Sequence, residues 1–196
     1  MRRRLATGAG VLCLLGLLRA ARDLEIREPF VTVAGQTAPS PGITLAGAGI
    51  VVRTHDVLLQ HLRVRVGDLP DGEPKDRRRA IHMIGAKDGS LDVFNVVVDH
   101  CSTSWATDEC ITTWYPGVRD VTIRQCIVGE TLSHAGHDKG EHSKGMLLGD
   151  YAKRVAVIGN LFASNRDRNP HVKSDVSALI VALLVGFGLG LVTAYV

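Results

Sequence analysis

Four groups of residues in this 196-residue chain have the types and spacing that chemistry needs. Asp99-His100-Cys101-Ser102-Thr103-Ser104-Trp105 sets an acid, an imidazole and a thiol beside an aromatic ring. Asp108 and Glu109 are neighbouring carboxylates. Hydrolysis of a glycosidic bond takes two acids across the scissile bond, and adjacent residues on a strand point apart, so this pair argues against a hydrolase. His134, His137 and His142 follow at spacings of three and five in a Gly-rich segment. That spacing could hold zinc, yet no Cys or well-placed acid completes a tetrahedral set, and a loop bordering a groove is the better reading. Arg77-Arg78-Arg79 is a local basic run that reads as a solvated loop.

A recurring octet must position these groups. Val57-Leu58-Leu59-Gln60-His61-Leu62-Arg63-Val64 has apolar residues at places one, three, six and eight. The octets opening at Val121 and Val155 repeat it, and the one opening at Val96 differs only by Thr103 at the eighth place. The starts lie 39, 25 and 34 residues apart, the scale at which a solenoid buries each unit on its neighbours. Alternating β-branched residues suit strands, and the breaks are rich in Gly, Asp and Pro. The fold expected is all-β, a parallel β-helix of roughly seven or eight coils in a chain of this length. Leu62, Cys101, Cys126 and Asn160 share the sixth place, so the two thiols should be buried, close and free.

The formal charge of +3 is too small and too scattered for a nucleic-acid surface, which would also need aromatic stacking residues. Arg2-Arg3-Arg4, an uncharged run over 5–18 and Ala20-Ala21 resemble a secretory signal, with twin-arginine export as the second option. One of the four Cys lies in that leader, so an odd number remains and no disulfide framework is implied. Residues 176–196 carry no charge and are long enough to span a membrane. Leu179, Val181 and Leu184 roughly continue the octet and Gly186, Gly188 and Gly190 suit turns, which favours a last coil over a transmembrane helix. The expected organisation is a leader at 1–21, a β-helix at 22–175 and the apolar segment at 176–196.

Val33-Ala34-Gly35-Gln36-Thr37-Ala38-Pro39 with Gly42-Ile43-Thr44-Leu45 resembles the pectate lyases. So do Asp99-His100-Cys101 with Ser104-Trp105, and Asn160-Leu161-Phe162 leading into Arg168-Asn169-Pro170. The resemblance implies a right-handed parallel β-helix and a secreted enzyme that cleaves polygalacturonate by β-elimination, usually with calcium. The reaction removes the C5 proton beside the uronate carboxylate and expels the oxygen at C4. The enolate-like dianion so formed is stabilised by cations close to the carboxylate. Calcium binds such oxygens well and can bridge protein and substrate, while a base must reach C5.

By this resemblance the base is Arg168, a residue type that ordinarily stays charged, so it loses a proton transiently or acts mainly as a cation. Lys144 matches a lysine that grips the substrate carboxylate. Lys173 stands where a second basic residue, typically Arg, is found; Lys keeps the charge and gives up the bidentate fork. His142, beside Lys144, joins Lys173 as a substrate-binding residue. The family offers acids on the strand before the Asp-His motif and a pair four apart after it. Here Ile81-His82-Met83-Ile84-Gly85 has no acid, and the later pair reads Asp108 and Thr112, with Glu109 as a substitute. Asp108, Glu109 and then Asp99 are the expected metal ligands, calcium drawing the rest of its roughly six or more oxygens from water and substrate. The expected partner is an acidic polysaccharide, with the chain a monomer and no nucleic acid bound. A non-catalytic β-helix that binds glycans, or is anchored by its apolar end, is the alternative.

Overall fold

Each octet folds as two short strands meeting at a corner, in a computed structural model that describes residues 10–11, 16–181 and 184–185. Val57–Gln60 and Leu62–Arg65 are separate strands, and His61 between them has φ 52°. His100, Gln125 and Gly159 hold the fifth place in the other octets, with φ of 52°, 51° and 62°. This left-handed residue explains the spacing. Places one and three face inward; the corner turns the chain, and places six and eight face inward next. A single strand would have kept places five and seven apolar.

The strands stack in parallel into three sheets of seven, seven and six, the architecture of a right-handed parallel β-helix. The first and second sheets meet at the left-handed corner. The third contains Ile81–Ile84, Glu109–Trp114, Lys144–Leu148 and His171–Val172. Register is fixed by the core: Val57, Val96, Val121 and Val155 pair in one column and are at most 2% exposed. Each such side chain contributes about 2 kcal/mol by burial, close to the roughly 1–2 kcal/mol that ordering one residue costs.

The sixth place lies just inside the corner, where backbone groups need partners. Asn160 accepts from Cys126 N at 2.9 Å and donates to Ile123 O at 2.9 Å. Cys126 and Cys101 are free, buried thiols whose Sγ atoms lie 3.1 Å from Arg124 O and 3.4 Å from Asp99 O, weak versions of the same bond. The corner also yields a test. Gln125→Val puts a β-branched residue at positive φ and should cost about 1–2 kcal/mol, whereas Gln125→Gly should be neutral or stabilising. Denaturant titration of the two variants checks this.

Within the expected leader, Leu17–Arg19 is a strand beside Ile43–Ala46, and 1–9 and 12–15 lie outside the described residues. In the apolar tail, Ala178–Val181 pairs with Lys153–Ile158, and Leu184–Val185 with Leu161–Ala163; 182–183 and 186–196 lie outside them. Among the described residues no helix is long and apolar enough to cross a membrane.

Candidate active site

Successive coils of the third sheet bring charged residues into one column at its leading edge. Glu109 pairs with Lys144, and Lys144 with Asp167, the residue before Arg168. Arg79 enters from the preceding coil, where Ala80 N donates to Cys110 O at 3.0 Å. The turn carrying Arg168 is tightly held: Asn165 donates to Val128 O at 2.8 Å and to Asn169 Oδ1 at 2.9 Å, and accepts from Thr131 Oγ1 at 3.0 Å. A Cβ on Gly145 would lie 2.6 Å from Arg168 O, so glycine beside Lys144 is what lets this turn close. Arg168 itself sits at φ 60°, a conformation an L-residue keeps only when its surroundings enforce it.

Side chains then form one chain of alternating charge. Arg79 donates to Asp108 Oδ2 through Nη2 and to Glu109 Oε2 through Nε, the latter at 3.1 Å. Arg168 Nη1 donates to Glu109 Oε1. His142 Nε2 lies 3.1 Å from Asp108 Oδ1 and His137 Nε2 3.8 Å from it. Asp108 and Glu109 are almost fully buried. Burial, reinforced by the charge of Glu109, pushes Asp108 up to about 7 in spite of Arg79. Burial also opposes ionisation of Glu109, but Arg79 and Arg168 outweigh it and hold that carboxyl below its usual range. Lys144 donates to Asp167 Oδ2 at 2.8 Å. Asp167 is half exposed, so this pair is weak and easily exchanged for another anion.

Four imidazoles are pushed towards the neutral form. Burial and Lys139 lower His137, and burial with His137 and Lys144 lowers His142 to about 4. Burial, with Arg79 and Arg53, takes His82 to about 3, and burial with Arg168 lowers His171. These bases take up protons in the unfolded chain first, so stability should fall as pH drops from about 6.5 towards 4. Asp108 and Asp23, both raised by burial, work against that slope, two carboxyls against four imidazoles. Unfolding midpoints recorded across this range should show the loss, and His142→Gln should flatten part of it.

Asp108, His137 and His142 form a group that could hold a metal ion, their ligand atoms lying within 4.8 Å of one another. Its arrangement is that of a hydrogen-bonded cluster. The two rings are stacked, 3.6 Å between centroids and 9° from parallel, so their lone pairs do not converge on one point. Lys139 N donates to His137 Nδ1 at 3.0 Å, which leaves the ring proton on Nε2, the atom facing Asp108. His134 is exposed and lies 3.5 Å from Glu141. Calcium, implied by the resemblance, fits the acids no better. All four oxygens of Asp108 and Glu109 already face Arg79, Arg168 or His142. A dication placed there would sit between two guanidinium groups, a repulsion of several kcal/mol even at moderate dielectric. Thr112, where the pattern would have a second acid, is buried with its hydroxyl on Thr113 O at 3.2 Å.

Arg168, Lys144, Asp108, Glu109 and His142 thus share one edge. Lys173 and Asp99 stand elsewhere. Lys173 follows the far end of the same sheet, about 16 Å along the strand from the Lys144 column. It pairs with Asp150 at 2.6 Å and lies 4.4 Å over the Trp114 ring. Asp99 is on the first sheet, in an outward column with Gln60 and Arg124. It accepts from Gln60 at 3.0 Å, from two Arg124 nitrogens at 3.0 Å each, and lies 2.6 Å from His100 Nδ1. The arginine run has three fates. Arg77 is exposed, Arg78 is buried with its guanidinium on the carbonyls of Glu73, Gly67 and Leu69, and Arg79 is in the site. Reading all three as solvated holds for Arg77 and fails for the other two.

No family model matches the chain. Curated relatives do. A probable pectate lyase C of Aspergillus flavus is 33% identical over 152 residues, covering 77% of this chain and 32% of that protein. The probable pectate lyase C of Aspergillus terreus is 33% identical over 169 residues, covering 86% and 36%. That of Aspergillus fumigatus is 30% identical over 169 residues, with the same shares. The chain therefore spans about a third of the length of the curated relatives it matches. With the parallel coils, the Asp-His column and the Arg-Asn-Pro turn in place, these matches make the chain a member of the pectate lyase family.

Proposed function

We propose that the chain acts on polygalacturonate as a polysaccharide lyase. The observation that carries this reading is the pairing of Lys144 with Asp167, which brings Lys144 and Arg168 to adjacent coils at one edge of the third sheet. A uronate carboxylate entering there exchanges with Asp167 for Lys144. Arg168 leaves Glu109 and gives one guanidinium proton to water as it meets C5; the C5 proton passes to the nitrogen so freed, the electron pair of the C5–H bond forms the C4–C5 double bond, and the C4–O bond breaks. The leaving oxygen takes up a proton. Lys144 and the guanidinium groups offset the charge that grows on the carboxylate. Lys173, over Trp114 and beside Asp150, holds a further uronate along the groove. An extracellular setting, where this polymer is met, agrees with the basic and apolar leader composition.

Incubation with polygalacturonate should produce absorbance from the unsaturated uronate. Reducing ends without that chromophore would indicate hydrolysis, and binding without turnover would indicate a glycan-binding module. Either result would overturn the proposal.

A further inference from the structure

We propose that Arg79 is the site's built-in cation, standing where a calcium ion would otherwise bridge carboxylates and substrate. Three observations carry this. Arg79 is pinned by two buried acids on the next coil, through Nη2 to Asp108 and through Nε to Glu109. Its Nη1 makes no hydrogen bond among the described residues, and the side chain keeps 23% of its surface exposed, so one end of the fork can meet an anion. The strand that Arg79 leads into, Ile81–Ile84, carries no acid; its outward His82 has a buried Nε2 without a partner, beside an Arg53 Nε in the same condition. A cation-binding pocket would present oxygens on that strand. This one presents nitrogen, and its carboxylates are spent on holding a guanidinium.

The chemistry follows. A guanidinium is a single, permanent charge with a planar pair of donors, matched to a carboxylate. Pinned by two buried acids, it does not have to be ordered when substrate arrives, and neither chelators nor calcium should alter its effect. Asp108 and Glu109 become positioning residues for Arg79, and Glu109 also for Arg168. The inference rests on the proposed function for its substrate, and stands apart from it for its ion.

Calorimetric titration of the full chain with calcium chloride separates the two. The wild type should take up no calcium at concentrations to about 1 mM, the weak end of extracellular calcium sites. Arg79→Gln uncovers one oxygen of each carboxylate and should gain calcium binding at least about ten-fold tighter than the wild type. If that variant does not fold, Arg79→Lys decides: it keeps the charge and should remain blind to calcium, while trigalacturonate binding weakens about ten-fold with loss of the fork. Trigalacturonate should bind the wild type equally with calcium or with a chelator. Wild-type calcium uptake below about 1 mM, calcium uptake by Arg79→Lys, or trigalacturonate binding seen only with calcium would overturn the assignment. Absence of trigalacturonate binding under both conditions would instead overturn the proposed function, with the calcium titrations still deciding the role of Arg79.

Discussion

Arg168→Lys should lower polygalacturonate cleavage about a thousandfold with little change in unfolding midpoint, the loss expected when a positioned proton acceptor is removed. The substitution keeps a positive charge for Glu109 and for the substrate. What it removes is reach and the planar fork, on a turn that Asn165 and Asn169 hold in a left-handed conformation. The fall should appear in kcat. A rise in KM alone would make Arg168 a binding residue, and activity within ten-fold of wild type would remove it from the chemistry.

Asp99→Ala should destabilise the fold by about 3 kcal/mol. Its carboxylate, 3% exposed, serves Gln60, Arg124 and His100 on three neighbouring coils or corners. Removing one member of a buried charged pair costs about 3–5 kcal/mol because the partner is left without compensation. The half-exposed Arg124 can turn to water, which places the effect at the lower end. The sign with pH is defined. Burial raises the Asp99 carboxyl, and Arg124, Gln60 and His100 more than reverse this, holding it at about 2. Its contribution is complete above the unfolded value near 3.8 and is lost as pH falls towards 2, so wild type and variant should converge at the acid end of a denaturant series. Equal loss at pH 2 and pH 6 would show that packing, and no charge, accounts for the effect.

The two substitutions mark what could be read from the sequence. The core could be, since Val57, Val96, Val121 and Val155 repeat a pattern that burial enforces. The jump from the third to the sixth apolar place held the corner as well; it needs the left-handed geometry of His61 and its equivalents to be understood. Arg79 was hidden for a different reason. Its acids lie 29 and 30 residues on, and Glu109 meets Arg168 from 59 residues away. Such separations are set by coil length, which changes from coil to coil, so charge partners across coils carry no fixed spacing. A run of three arginines therefore looked uniform, while packing sends each to a separate environment.

The single-residue corner has a consequence for how such chains can diverge. With one edge clamped in phase, length differences between coils are displaced to the opposite side. The link from second to third sheet takes 15 residues at 66–80, four at 105–108, 14 at 130–143 and seven at 164–170. Each doubling of a flexible link costs only about 0.6 kcal/mol. Outside Arg79, Asp108, His142, Asp167 and Arg168, the rim above the charged column is thus free to be rebuilt, taller or shorter, with the supporting stack left untouched, and polymers of different bulk or decoration could be admitted by that change alone.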